Sequence, residues 1–133
     1  MASTVFRLVC VPGALNSAPA GWARDLLTAG GEVAVLVDDD GLPAINAVAR
    51  ALDATSISVV RNEPSRELQE QTVIAHAGDL ALVWVAPSFS ADAEAWATAR
   101  PPMTLLVAAD GPLSDEERAR IERFVRLLGG QAA

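Results

Sequence analysis

Five short apolar runs, each followed by a loop and a helix-like segment, occupy the chain almost from end to end. They read Val5–Val11, Val33–Val37, Ile57–Val60, Leu80–Val85 and Met103–Val107. Strands that alternate with helices can bury their apolar faces only around a mainly parallel sheet. The right-handed crossover rule then leaves few arrangements, and the pattern predicts a three-layer, doubly wound α/β domain with a five-stranded, flavodoxin-like sheet. A length of 133 residues fits one such domain over residues 1–133, with no internal repeat, linker or low-complexity tract.

Local signals place the elements. Pro12-Gly13 ends the first run, and the loop Ala14–Pro19 leads to a short helix from Gly21 to Ala29, stopped by Gly30-Gly31. Leu42, Ile45, Val48, Ala49 and Leu52 recur at helical spacing after the second run. Ser65 is a cap for a helix reaching His76, whose thin apolar face reads as Leu68, Thr72 and Ala75. The fourth run is apolar throughout, as a central strand would be. An Ala-rich helix follows it and breaks at Arg100-Pro101-Pro102. Ser114 and Glu117 form a capping box for the last helix, whose inner face is Ile121, Phe124, Val125 and Leu128 and which Gly129-Gly130 should end.

Composition removes several chemistries. All ten basic residues are arginine, so Walker-type phosphate loops, Schiff bases and catalytic lysines are absent. A formal charge of −7 disfavours nucleic acid as a partner. No apolar stretch approaches the ~20 residues that cross a bilayer, and no basic region precedes the first run, so neither a membrane nor a signal peptide is expected. The single cysteine has no internal disulfide partner, which fits a cytoplasmic location.

In open parallel sheets, ligands sit outside the carboxyl ends of the strands. The loops there offer Asn16, Ser17, Arg61 and Ser88 to a ligand. The run Asp38-Asp39-Asp40 offers three carboxylates to a metal, Mg²⁺ being the hard ion that suits them; the alternative is a helix cap and a favourable interaction with the helix dipole. Asp110 would join that site if strand order brought it near. Cys10 lacks the arginine that a phosphatase loop requires and reads as core. His76, the only histidine, falls at the amino end of the fourth strand and reads as helix-end packing. No Gly-x-Ser-x-Gly elbow surrounds Ser88 or Ser90. Trp84 reads as core, leaving Trp22 and Trp96 as candidates for a partner surface.

Several families with this architecture leave traces. Val35–Asp40, followed by a helix, resembles the acidic first motif of response-regulator receiver domains, and Asp79–Pro87 resembles the strand that bears their phosphoacceptor. Trp84 stands at the phosphoacceptor's place, so this resemblance implies a pseudo-receiver. Leu42–Asn46 with Ala77–Ala86 is similar to bacterial caspase-like domains; Ser88 and Ala109 lie near the positions of their histidine and cysteine, which implies an inactive relative. Val85–Phe89 with Trp96 is similar to the third-strand region of TIR domains, and Asp38–Gly41 resembles the Asp-x-Asp motif of haloacid dehalogenase-like phosphatases. In each case the family's further catalytic residues are missing. The expectation is a non-catalytic protein-interaction or regulatory domain, a pseudoenzyme that needs no cofactor and has a protein partner or a second copy of itself as ligand. The alternative is a Mg²⁺-dependent enzyme or phosphate-ligand binder built on Asp38–Asp40.

Overall fold

A computed structural model describes residues 4–36, 41–53, 57–100 and 103–132. The elements follow in the order β1 (Phe6–Cys10), α1 (Pro12–Asn16), α2 (Trp22–Thr28), β2 (Gly31–Leu36), α3 (Gly41–Leu52), β3 (Ser58–Val60), α4 (Arg66–Ala77), β4 (Ala81–Ala86), α5 (Ala91–Ala99), β5 (Thr104–Ala108) and α6 (Asp115–Ala132). All strand pairs are parallel, and the five-stranded sheet runs β3-β2-β1-β4-β5. This is the flavodoxin-like three-layer class that the alternation predicts. Strand order, which alternation leaves open, places the reversal between β1 and β4; in the 2-1-3-4-5 order of flavodoxin itself it lies between β1 and β3.

The sheet separates two cores, because successive side chains of a strand point to opposite faces. Phe6, Leu8 and Cys10 of β1, Val33 and Val35 of β2, and Val83 and Val85 of β4 share one face with α1, α2, α3 and α6. Val9, Ala34, Leu82 and Trp84 share the other with Val73 and Ala77 of α4 and Ala93 of α5. The in-register pairs Leu8–Val33 and Val9–Ala34 keep these sets apart. Trp84 is the largest fully buried side chain on the second face, at 2 % exposure, with Phe89 and Trp96 meeting its ring edge-to-face at centroid distances of 5.0 and 6.4 Å. Such aromatic pairs add about 0.5–1.5 kcal/mol beyond the area they bury.

Three sequence expectations change here. The segment after β1 is helical from Pro12: a proline at the first turn costs no hydrogen bond there, and Ser17 closes the helix through its hydroxyl on the Gly13 carbonyl at 2.6 Å. Helix α4 does not bury Leu68, Thr72 and Ala75. Leu68 is 43 % exposed, and the inward stripe is Glu70, Val73 and Ala77, since α4 turns its carboxylate-bearing side toward the sheet. Helix α6 continues through Gly129, because a glycine stops a helix only where the chain takes a left-handed turn, and Gly129 does not. At Gly30-Gly31 the turn is real: Gly30 has φ +102°, and a Cβ on Gly31 would lie 2.6 Å from the Phe6 ring and 2.8 Å from the Leu26 carbonyl oxygen.

The ends of the sheet are secured unequally. At the amino edge, Arg7 of β1 pairs with Glu32 at 3.3 Å and donates to the carbonyls of His76 and Ala77. Arg100 lies 4.6 Å from the Trp96 ring centroid and donates to the carbonyls of Gly78 and Leu80 at 2.9 and 2.8 Å. Two guanidinium groups thus satisfy carbonyls that the end of α4 and the following turn leave free. The carboxyl edge opens into a cleft.

Candidate functional site

The cleft lies on the Trp84 face at the carboxyl ends of the strands and has a volume of about 410 Å³. Its floor is the end of β4, where Trp84, Val85 and Ala86 run into Pro87 and Ser88. Val11 and Leu36, which end the chain's passage through β1 and β2, close one side with Pro64. The first turns of α4 contribute Ser65, Arg66, Gln69 and Glu70, and Ala109-Asp110 after β5 form the far rim. The β1–β4 reversal explains the opening: the crossovers from these two strands leave toward opposite faces, so no connection covers the gap between them.

Most polar side chains in the wall are already occupied. Gln69 accepts from the Glu63 amide at 2.9 Å and donates to the Arg61 carbonyl at 3.0 Å, which fixes the β3–α4 loop. Ser65 caps α4 by accepting from the Leu68 amide at 3.3 Å. Glu70 is only 6 % exposed, and its carboxylate accepts from both the amide and the hydroxyl of Ser90 at 2.9 and 2.5 Å. Ser90 in turn caps α5 by accepting from the Ala93 amide at 3.1 Å. A buried carboxylate holding two donors is a strong tie, and it fixes the Pro87–Ser90 loop against α4. Arg66 reaches Ser88 Oγ only at 3.4 Å.

The residues expected to form a site disperse. Ser88 lines the cleft, as does Asp110. Arg61 lies beside it, paired with Glu63 and 79 % exposed. Asn16 and Ser17 are on the opposite face, where Asn16 donates to the Ala44 carbonyl at 3.1 Å and joins α1 to α3. Asp38, Asp39 and Asp40 lie outside the described residues. Among the described residues no three His, Cys, Asp or Glu side chains gather as a metal would require. Trp22 and Trp96, the candidates for a partner surface, are each partly buried: Trp22 packs against the first core, and Trp96 lies between Trp84 and Arg100.

Two reactive side chains sit where they cannot serve the cleft. Cys10 is fully buried on the other face, and burial pushes its thiol up to about 12. His76 is at the amino edge. Desolvation, followed by repulsion from Arg7, lowers its pKa, with Glu32 opposing, and its Nε2 has no hydrogen-bond partner among the described residues.

The sequence reading missed Glu70, Gln69 and Arg66. A glutamate about one turn into a helix looks solvated in sequence; only the pairing of Glu70 with Ser90, twenty positions away, shows why it is buried. The cap at Ser65 was the available signal, since it fixes which residues form the first turn facing the sheet edge.

The chain matches no family model, no curated protein and no solved structure. No helix among the described residues is long and apolar enough to cross a membrane.

Proposed function

We propose that the protein is a non-catalytic regulatory domain that binds a small molecule in the carboxyl-edge cleft and acts on a protein partner or a second copy of itself. The observation that carries this reading is the cleft itself, which has apolar walls and a few polar groups and sits at the strand-order reversal, where doubly wound sheets take their ligands. Its size lies at the low end of the range for small-molecule sites, which favours a compact ligand over a dinucleotide. The non-catalytic part rests on how the polar residues are used. Glu70, Gln69 and Ser65 hold loops and caps, the thiol of Cys10 is buried, and His76 is at the other end of the sheet. A nucleophile needs a base within hydrogen-bond reach, and the wall offers structural partners in that place.

The cleft reading is tested with a plug. Ala86 sits on the floor, and Ala86→Leu fills the space without disturbing a hydrogen-bonded side chain. Compounds from a small-molecule library that raise the unfolding temperature of the wild type should leave the variant's unchanged. A ligand at about 100 times its Kd adds roughly 2.7 kcal/mol, a shift of several degrees in a domain of this size. Stabilisation that persists in Ala86→Leu would place binding elsewhere and refute the reading.

A further inference from the structure

We infer that the cleft is built for a monocarboxylate with a flat apolar body, its carboxylate on Arg66 and Ser88 and its body against Trp84, Ala86 and Leu36. This rests on the cleft being a ligand site and adds the ligand's chemistry. The body follows from the walls, whose apolar side chains on this face include Val11, Leu36, Pro64, Trp84, Ala86 and Pro87. The head follows from the groups that remain. Among the described residues Arg66 is the one cation that lines the cleft, and it has no carboxylate partner there, only the long contact to Ser88. Arg61, by contrast, is spent on Glu63. Accepting from Arg66 leaves the Ser88 hydroxyl its own proton to donate, so guanidinium and hydroxyl form a donor set for one planar anion.

Charge decides between a carboxylate and a phosphate. Glu70 faces the cleft with its oxygens bonded to Ser90, and Asp110 stands on the far rim. One cation against three acids, Glu63 being the third, offers little to a dianion, which all of them repel. A monoanion kept at the Arg66 end meets the cation and leaves its neutral body toward Asp110.

The test uses three compounds that share one body: 2-naphthoate, 2-naphthamide and 2-naphthyl phosphate. Each is titrated into wild type and Arg66→Gln while the backbone amide resonances of residues 65–70 and 84–88 are followed. Arg66 is exposed at the first position of α4, so the substitution leaves the fold intact. In the wild type the carboxylate should bind about tenfold more tightly than the amide, as expected for losing one charge-assisted pair, and more tightly than the phosphate. In Arg66→Gln the acid should fall to the amide's affinity while the amide is unchanged. Equal binding of acid and amide in the wild type, or an acid preference that survives in Arg66→Gln, overturns the inference; so does a tighter phosphate. In those cases the cleft reading stands, because the amide still shifts cleft resonances. If none of the three binds, the inference falls, and the Ala86→Leu comparison decides the cleft reading separately.

Discussion

Cys10 shows how position rather than residue type sets chemistry in this chain. It stands at the end of β1, where a nucleophile would be useful, yet its side chain enters the core shared with α1, α3 and α6. Burial raises its pKa from 9.0 to about 12, leaving roughly a thousandfold less thiolate at neutral pH. Because the folded pKa lies above the unfolded one, this group favours folding below about pH 9 and loses that contribution as pH rises from 9 toward 12. Native protein at pH 8 should therefore react with a thiol reagent only as fast as it unfolds, and denatured protein at once. Rapid labelling of the native state would mean that the thiol is accessible. Sequence reasoning reached this residue correctly, because the absence of a nearby arginine is visible in one dimension. Where Asn16 and Ser17 point was not visible in the same way: the loop after β1 folds into a helix, and their side chains bond within α1 and to α3, away from the cleft.

At the scale of elements, the cleft depends on the joint between α4 and α5. Glu70 and Ser90 tie the two helices, and Ser90 also caps α5. Removing one partner of a buried, charge-assisted hydrogen bond leaves the other unsatisfied, at a cost of about 2–3 kcal/mol. Glu70→Ala should lower stability by roughly that amount, and Ser90→Ala by at least as much, since it loses the α5 cap as well. In denaturant unfolding the double variant should be less destabilised than the sum of the singles, because both remove the same bond. Strict additivity would mean that the two side chains do not interact. Some element boundaries were legible from local chemistry, the start of α6 among them. The Ser114–Glu117 box closes as expected, with reciprocal bonds of 2.8 and 3.1 Å, and the inner face of α6 is the one its spacing gives. The face of α4 was not legible. Its true stripe contains a glutamate, and periodicity of apolar residues cannot find a buried carboxylate whose partner comes from another element.

For the whole molecule, alternation determines the layers but not the order of the strands. Right-handed crossovers allow both 2-1-3-4-5 and 3-2-1-4-5, and the choice depends on where β3 packs. Here β3 pairs with β2, so β1 and β4 become neighbours, and the gap between their diverging crossovers becomes the cleft. Two arginines hold the amino edge closed, while the opposite edge keeps its apolar wall open to solvent. The most direct measurement is an amide chemical-shift map of the wild-type protein against a broad mixture of small molecules. The perturbed amides should fall on residues 63–70, 84–88 and 109–110, converging on the cleft whichever compound binds. Perturbations concentrated on α3 or α6, or none at all across the mixture, would contradict the assignment of this cleft as the functional site.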